Sequence, residues 1–404
     1  MTPVAAKQER SAVFVSNLFP SHHEPVRGIF NLRQLSGLRA RGWDFAVVAP
    51  VFSFPFHRTR FGPAAREVAG EEEVEGLPTL HPRALYLPLS RGALNARLYE
   101  WSIRGAVERA CRMLRPSFLW SAFAFPDGVA VGRIARRSGL PHVASVLGSD
   151  VNLGLELGRR RQVLLKELGA ARVVLTKSEA LRELLIAHGL PASRIACVYN
   201  GVDHATFRFR ARAEACRELG VDGARKRILF VGDLVPVKGL PVLLKAFARL
   251  ADPRHGDLEV ALVGDGHLHH KLAAAARHLG IGDKVVFLGR RPPSEVSLWL
   301  NASDVMCLPS LREGLPNVVL EALSSGCPVV ASRVGGVPEV HPGDAAGALV
   351  EAGQPEALAQ ALGETLRRSW DREAIAASMD GWSWAASTQQ VEDVFVSAGL
   401  IGGG

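Results

Sequence analysis

Cysteine is scarce in this chain, and its few copies are scattered. The five cysteines are odd in number, widely spaced and form no Cys-x-x-Cys pair. A disulfide framework or a structural zinc site needs cysteines at short, paired spacings, so the sequence argues against both. We therefore expect a protein of a reducing compartment, the cytosol.

Long apolar runs are also missing. No run reaches the about 18 apolar residues that a membrane-spanning helix needs. The first apolar stretch follows mixed charges and is too short for a signal-peptide core, so we expect a buried strand there. His267, His269 and His270 cluster without the partner carboxylates of a catalytic zinc site. We expect neither a metal ion nor a cofactor.

Two nucleotide-binding patterns are absent as well. No strand is followed by G-x-G-x-x-G with an acidic ribose ligand about twenty residues later, which argues against an NAD-dependent oxidoreductase. No helix-turn-helix, zinc-finger or aromatic ribonucleoprotein pattern occurs, which argues against a nucleic-acid partner.

The positive charge lies in the first half of the chain. Residues 1–200 hold 27 Lys and Arg against 16 Asp and Glu, whereas residues 201–404 hold 21 against 24. Such asymmetry favours an anionic partner near the first half, a membrane surface or an acidic glycan, with plain solubility as the alternative.

Short β-rich runs alternate with helical patterns along all 404 residues, a length that predicts two domains. Buried strands are predicted at 12–17, 45–50, 118–123, 142–147, 171–176, 227–232, 259–264, 284–289, 305–310 and 327–332. They lack strict alternation, as strands of a parallel sheet covered on both faces do. The sequence predicts an α/β protein with two doubly wound, Rossmann-like domains and a ligand cleft beyond the strand ends, between the domains.

The most informative segment is SLREGLPNVVLEALSSGCPVVASRVGGVPE, at 310–339. Gly314 permits a close backbone approach, Pro316 suits a first helical position, and a helix is predicted from there to Ser324. The unpaired N–H groups at its start carry the positive end of the helix dipole and can bind a phosphate. Glu313 precedes this helix and Glu321 lies in its second turn, so carboxylates suited to sugar hydroxyls flank an anion site.

This segment resembles the donor-site signature of retaining glycosyltransferases of family 4, which have the GT-B fold. Five further segments occur in family order: VYNGVD at 198–203, FVGDLVPVKGLPVLLKAF at 230–247, LVGDGHLHHKL at 262–272, VVFLGR at 285–290 and ASDVMCLPS at 302–310. The resemblance implies that Glu313 contacts the donor sugar, that Glu321 contacts the ribose hydroxyls and that Lys238 neutralises the diphosphate.

The resemblance also implies the remaining site residues. Asp150 is the third catalytic candidate, as a ligand for a hydroxyl of the acceptor or donor, although capping of the segment after it is an alternative. The donor-binding set is Gly28, Asp233, Gly264, Gly266, Arg290, Gly314, Leu315, Pro316, Asn317, Val318 and Glu321.

The domain bounds follow from the same resemblance. Residues 1–205 form the acceptor-side domain, and residues 206–380 form the domain that binds the nucleotide sugar. Residues 381–404 form a final helix that crosses back to the first domain, with a simple C-terminal helix on its own domain as the alternative.

Two positions depart from the family pattern. Relatives usually have an arginine where this chain has Asp233, so one phosphate contact needs a replacement from Arg312, Arg290 or Arg27. Many relatives have a histidine where this chain has Leu147, which excludes any mechanism that requires that histidine.

The implied function is transfer of a sugar from a UDP or GDP sugar, with retention and without a metal ion, to a hydroxyl of a lipid-linked or polysaccharide acceptor. FPDG at 125–128 and GSDVN at 148–152 resemble a subgroup that builds cell-surface polysaccharides. A GT-B nucleotide-sugar epimerase and a catalytically impaired nucleotide-sugar-binding relative are the alternatives.

Two stretches of the first half could contact an anionic membrane. Residues 52–62, FSFPFHRTRFG, mix phenylalanine with basic residues, and residues 90–116 predict a basic amphipathic helix. We expect a peripheral protein at the inner face of the plasma membrane. The alternatives are a buried core position for the aromatic residues and an ordinary solvent-exposed helix face for the arginines.

Overall fold

A computed structural model of the protein describes residues 10–53, 70–85, 93–156, 158–250 and 257–401. The chain forms two compact units. Unit 1 contains Met1–Tyr199 together with Trp384–Gly404, and unit 2 contains Asn200–Ser383.

Unit 1 contains ten strands and seven α-helices within its described residues. The strands are β1 Ser11–Val15, β2 Asp44–Val48, β3 Val51–Ser53, β4 Glu71–Val74, β5 Leu77–Leu80, β6 Arg83–Leu85, β7 Phe118–Ala122, β8 His142–Ser145, β9 Val173–Thr176 and β10 Ile195–Cys197. The helices are α1 Ile29–Arg39, α2 Ala93–Leu114, α3 Val129–Ser138, α4 Ser149–Glu156, α5 Gly158–Gly169, α6 Glu179–Ala187 and, after unit 2, α15 Trp384–Ser397.

The main sheet of unit 1 has the order β10-β9-β8-β7-β1-β2-β5-β4. All its pairs are parallel except β4 with β5. Every residue of β1 and of β7 is buried, because helices cover both faces of the sheet. The chain leaves β1 for β2 on one side and later builds β7 to β10 on the other, so the strand order reverses between β1 and β7.

Unit 2 contains six strands and eight α-helices within its described residues. The strands are β11 Lys226–Val231, β12 Leu258–Val263, β13 Val285–Gly289, β14 Val305–Leu308, β15 Val329–Ser332 and β16 Gly347–Val350. The helices are α7 Arg212–Leu219, α8 Leu240–Leu250, α9 His269–His278, α10 Pro293–Ala302, α11 Asn317–Ser324, α12 Val337–Val340, α13 Pro355–Arg367 and α14 Arg372–Ala377.

The sheet of unit 2 is wholly parallel, with the order β13-β12-β11-β14-β15-β16. This is the doubly wound arrangement, and its order reverses between β11 and β14. A strand is present at each of the ten segments for which the sequence predicted one. The prediction of two doubly wound α/β sheets is therefore confirmed.

The C-terminal helix α15 closes one face of the sheet of unit 1. The ring of Phe395 lies 5.3 Å from that of Trp43, 4.9 Å from that of Phe118 and 5.2 Å from that of Trp120, measured between centroids. All four side chains are buried. Aromatic burial of this kind contributes more than the area alone, because tilted and edge-on ring pairs attract each other.

None of the described helices combines the length and the apolar content needed to cross a membrane. One of the two predicted membrane-contact stretches, residues 90–116, contains α2. Its residues 90–92 lie outside the described residues. Residues 54–62 of the other stretch also lie outside them.

Glu392 of α15 is buried among donors from the start of unit 1. Its carboxylate accepts hydrogen bonds from Arg41 Nε at 2.6 Å, Arg10 Nη1 at 3.0 Å and Trp43 Nε1 at 3.1 Å. Burial raises the pKa of Glu392. The hydrogen bonds from Arg41 and Trp43 and the two arginine charges lower it by more, so the net shift of the pKa is downward.

Replacing Glu392 with glutamine should therefore destabilise unit 1. We expect Glu392→Gln to lower the free energy of unfolding by about 1–3 kcal/mol at neutral pH, because charge-assisted hydrogen bonds are lost. Since the folded-state pKa is depressed, this contribution is present above the ordinary glutamate pKa and disappears as the pH falls through the folded value. Urea unfolding of Glu392→Gln and of its exposed neighbour Asp393→Asn across this range measures it; an equal loss in both variants would contradict the assignment.

Candidate functional site

The carboxyl ends of β11 and β14 lie side by side where the strand order of unit 2 reverses. A reversal opens a crevice at this edge of a parallel sheet, where ligands of such folds bind. Lys238 follows β11 and Glu313 follows β14, and Lys238 Nζ lies 2.6 Å from Glu313 Oε1. Two of the three predicted catalytic residues therefore meet at the switch point of unit 2.

The pair is held in place and remains accessible. Ser310 Oγ donates to the same Glu313 oxygen at 2.6 Å. The side chain of Lys238 is 22% exposed and that of Glu313 is 10% exposed. An ammonium group has three donors, and within the described residues only Glu313 accepts one of them, so Lys238 can still donate to an anion.

Gly239 allows the turn after β11 to approach the end of β14. Its φ is +64°, and a Cβ at this position would lie 2.0 Å from the Pro309 carbonyl oxygen. No side chain fits there. Leu311 N donates to Val237 O at 2.8 Å, so the two loops are also joined through the backbone.

The loop from Glu313 to Pro316 leads into α11. Gly336 N donates to Gly314 O at 2.7 Å, which fixes this loop against the turn before α12. Pro316 has φ −79° and ψ 107° and is the residue before the helix, not its first residue as predicted. Its fixed φ suits both positions, and ψ decides between them.

The start of α11 is open to an anion. The N–H groups of Asn317 and Val318 have no intrahelical partner, because they belong to the first residues of the helix. No side chain of the described residues caps this end. Leu315 and Val318 are half-buried and pack against the core of unit 2, so they offer a polar ligand only their backbone groups. The predicted anion site is thus a set of backbone donors on a rigid loop.

Glu321 lies one turn further along α11 and is half-buried. Burial raises the pKa of its carboxyl group to about 7. Among the described residues no donor to this carboxylate is found, in contrast to Glu313. A half-buried carboxylate without a protein donor is suited to accept hydrogen bonds from a ligand.

The remaining predicted residues of unit 2 lie at the ends of β11, β12 and β13. Arg290 Nη2 lies 3.3 Å from Asp233 Oδ1, and both side chains are exposed. Gly264 has φ +136°, and its Cβ would lie 1.9 Å from Gly232 O. Leu234 O occupies the corresponding space at Gly266, 2.5 Å from where a Cβ would be. Of the candidate replacements for the missing arginine, Arg290 is the one that contacts Asp233.

Unit 1 holds the other two predicted residues. Gly28 precedes α1 with φ +65°, and a Cβ there would lie 2.2 Å from Leu18 O. Asp150, at the start of α4, is 4% exposed. Its carboxylate accepts from Ala124 N at 2.5 Å and from Gly148 N at 2.8 Å, and burial raises its pKa. The carboxylate thus joins the loops after β7 and β8.

No group of three or more His, Cys, Asp or Glu that could hold a metal ion is found in the described part of the chain.

Profiles of two sequence families match the chain. The family Glycosyl transferases group 1 matches residues 212–378, and the family Glycosyl transferase 4-like domain matches residues 29–201. A D-inositol 3-phosphate glycosyltransferase of Frankia alni is 32% identical over 279 residues, which cover 64% of this chain and 69% of that protein. The chain belongs to the group 1 glycosyltransferases.

Other relatives of this glycosyltransferase differ in how much they share with it. TuaC of Bacillus subtilis, described as a teichuronic acid biosynthesis glycosyltransferase, is 27% identical over 87% of both chains. A D-inositol 3-phosphate glycosyltransferase of Mycolicibacterium gilvum is 34% identical over 56% of this chain, and the chain spans 52% of that protein.

Solved structures confirm the GT-B fold class. Sucrose-phosphate synthase from Thermosynechococcus elongatus has a TM-score of 0.75 at 17% identity and covers 96% of this chain and 98% of its own. HepE of Anabaena, in complex with UDP-glucose, has a TM-score of 0.70 at 20% identity. The match covers 96% of this chain and 99% of the HepE chain. At these identities the likeness establishes the fold and nothing finer.

Asn200 was missed by the sequence reasoning. Its Nδ2 donates to Asn317 Oδ1 at 2.9 Å, and its own Oδ1 is buried without a partner among the described residues. Asn200 therefore orients the side chain at the first residue of α11. The signal was present, because Asn200 belongs to the VYNGVD segment, but nothing in its spacing showed a contact over 117 positions.

Asp127, in the FPDG segment, was also missed. It is fully buried, and one of its oxygens accepts from Asn17 N at 2.8 Å and Asn17 Nδ2 at 2.9 Å. Tyr99 donates to the other oxygen. Burial raises the pKa of Asp127 to about 7, against the lowering effect of these hydrogen bonds. Asp127 joins the ends of β1 and β7, at the switch point of unit 1.

The unpartnered carboxylate of Glu321 predicts a stability that depends on pH. Its folded-state pKa of about 7 lies above the ordinary 4.5, so its contribution is complete below the ordinary pKa and is lost as the pH rises through about 7. Glutamine does not titrate. We expect the unfolding free energy of Glu321→Gln to rise relative to the wild type by about 1–3 kcal/mol between pH 5 and pH 8.

Urea unfolding at the two pH values measures this difference in the absence of ligand. Glu351→Gln is the matched control, because the side chain of Glu351 is 75% exposed in the same unit. A constant difference between Glu321→Gln and the wild type would show that the carboxylate is not desolvated.

Proposed function

We propose that this glycosyltransferase moves a sugar from a nucleoside diphosphate donor, a UDP or GDP sugar, to a hydroxyl of a lipid-linked or polysaccharide acceptor, with retention of configuration. One observation carries the proposal: the Lys238–Glu313 pair lies beside the uncapped start of α11 at the switch point of unit 2. HepE contains UDP-glucose and TuaC is named for teichuronic acid biosynthesis, which supports these donor and acceptor classes.

The diphosphate of the donor binds the free N–H groups at the start of α11. The helix dipole favours a negative charge there by about 0.3–1 kcal/mol at an exposed site and up to about 2 kcal/mol in a partly buried one. Lys238 donates to the same diphosphate with the donors that Glu313 does not use. These groups supply the positive charge that the leaving group needs, so the proposal invokes no metal ion or cofactor.

The two glutamates bind the two ends of the donor that carry hydroxyl groups. Glu313 accepts from the sugar, and its contact with Lys238 places the sugar beside the phosphate. Glu321 accepts from the ribose, whose hydroxyls provide the donors that the protein does not. Asn200 orients Asn317 between these two regions.

The reaction takes place on one face of the sugar. The bond from the anomeric carbon to the phosphate oxygen breaks, and the acceptor oxygen bonds to the same face of that carbon. The acceptor proton passes to the departing diphosphate. Lys238 and the amides of α11 stabilise the negative charge that develops there, and the protein otherwise positions the reactants.

The other predicted residues have supporting roles in this proposal. Gly28, Gly264 and Gly266 shape the site indirectly, because each lets neighbouring turns of its own unit pack closely against each other. Asp150 acts as a positioning residue, since its oxygens already accept backbone N–H groups. Arg290, held beside Asp233, replaces the arginine that relatives have at that position.

We also propose that transfer takes place at the inner face of the plasma membrane, with the protein bound there peripherally. The charge excess of residues 1–200 supports an anionic partner for unit 1, either the membrane or the glycan. No nucleic-acid partner is proposed.

Substitution of the two glutamates should affect different steps. We expect Glu321→Ala to weaken binding of the donor nucleotide about 10- to 100-fold, because hydrogen bonds to a charged group are lost. We expect Glu313→Ala to lower kcat by about 10²- to 10³-fold with a smaller effect on binding, because its contact matters most in the transition state. Calorimetry with UDP or GDP and initial rates of transfer separate the two effects.

Glu351→Ala serves as the control for both, because it removes an exposed carboxylate from the same unit. Full transfer activity in both Glu313→Ala and Glu321→Ala would refute the site assignment. Nucleotide binding without transfer in the wild type would instead favour an impaired binding relative.

A panel of nucleotide sugars should reveal the donor. A donor that binds the folded protein tightly raises Tm by mass action. At a donor concentration of 100 times Kd, the free energy of unfolding increases by about 2.7 kcal/mol. We expect one UDP or GDP sugar to give the largest shift, and proton NMR of the transfer product to show the anomeric configuration of the donor. An inverted product would overturn the retaining mechanism, and an epimer formed from donor alone would indicate an epimerase.

A further inference from the structure

The outer face of α2 exposes large apolar side chains. Leu94 is 50% exposed and Trp101 is 72% exposed. Leu94 and Trp101 are seven residues apart, which places them within about 20° of each other around the helix. Burial of Tyr99, Ile103 and Val107 on the opposite face fixes this orientation.

Basic side chains surround the middle of this face. A cavity of about 710 Å³ is lined by Trp101 together with Arg97 and Arg104 of α2, Arg133, Arg136 and Arg137 of α3, and Lys166 of α5. We call this cavity, with the exposed apolar residues of α2, the α2 surface. Within the described residues Arg97 and Lys166 make no ion pair.

Two buried carboxylates hold the three arginines of α3 in position. Glu167 accepts from Arg133 Nε at 3.3 Å and from Arg136 Nη2 at 2.8 Å. Glu100 accepts from Arg133 Nη1 at 3.3 Å and from Arg137. Helices α2, α3 and α5 are thereby tied together beneath the surface, so the cations are presented by a rigid platform.

The cations of the α2 surface outnumber its carboxylates. Six basic side chains line the cavity with Glu100 and Glu167, and Glu108 pairs with Arg104 at 2.7 Å. Three positive charges are therefore uncompensated. An anionic partner would complete the balance.

We infer that the α2 surface binds an anionic phospholipid membrane. Trp101 lies at the level of the headgroups, where tryptophan is enriched, and the cavity receives headgroup phosphates. Each basic residue near such a surface contributes about fivefold in affinity, the equivalent of about 1 kcal/mol. This surface would carry the membrane association that the proposed function includes. Only the biological purpose of the binding rests on that proposed function.

The geometry favours a membrane over a soluble anion. Leu94 and Trp101 are seven positions apart on the same face, which corresponds to about 10 Å along a helix. A free phosphate or a short acidic glycan would occupy the cavity but would leave the apolar side chains in water. A lipid surface contacts the cavity and both apolar side chains at once.

Sedimentation with vesicles tests the inference on the full chain without donor or acceptor. We expect binding to phosphatidylcholine vesicles that contain phosphatidylglycerol, weak binding to pure phosphatidylcholine and a decrease with added salt. The double variant Arg97→Glu, Arg104→Glu should bind the anionic vesicles at least about tenfold more weakly, and Trp101→Ala about tenfold more weakly.

The matched control is Lys271→Glu with Arg277→Glu on α9 of unit 2, which changes the net charge equally at exposed positions. It should bind within about twofold of the wild type, since these residues lie outside the α2 surface. Circular dichroism and UDP or GDP binding, which should stay unchanged in all variants, show that the fold and the donor site are intact.

Equal binding to neutral and anionic vesicles, or an equal loss in the control, would overturn the inference. So would a result in which free phosphate displaces the vesicles while Trp101→Ala binds normally, because the surface would then be a soluble-anion site. None of these outcomes depends on transfer activity, so failure of the inference is distinct from failure of the proposed function.

Discussion

The contact between Lys238 and Glu313 is the interaction on which the candidate site depends. It joins the loops after β11 and β14, whose helices diverge at the reversal of the strand order. Removing one partner of a mostly buried pair leaves an uncompensated charge, which costs far more than the pair contributes. The pair therefore constrains both loops at once, and Gly239 is required because the loops must approach within the space of a single methyl group.

Unit 1 has a comparable contact between two loops, formed by Asp127 and Asn17. Its strand order reverses between β1 and β7, and there the carboxylate of Asp127 accepts from both the backbone and the side chain of Asn17. In each unit a carboxylate after one central strand binds a donor after the other. The strand order reverses at this point, where ligands of such folds bind, and in both units a polar contact spans it.

The ten strands that the sequence predicted could be found because their segments are largely apolar. Others could not: β4, with the sequence EEEV, is an exposed edge strand whose charges are a usual protection of sheet edges and hide its conformation from a hydrophobic pattern. The order of the motifs gave Glu313 and Lys238 as site residues. Their contact spans 75 positions, and Asn200 and Asp127 acquire their roles only from folding, so no local spacing could reveal them.

The carboxylates of this protein differ in whether the protein itself supplies hydrogen-bond donors to them. Asp150 and Glu392 are buried with protein donors on their oxygens, and Glu313 has Lys238 and Ser310. Glu321 is desolvated, and among the described residues it has no such donor, so it costs the folded protein stability at neutral pH. A ligand that donates two hydroxyls removes this cost on binding, and its affinity includes that gain. Local rules of folding are usually broken where function requires it, and the unpartnered carboxylate of Glu321 is one such exception among the described residues.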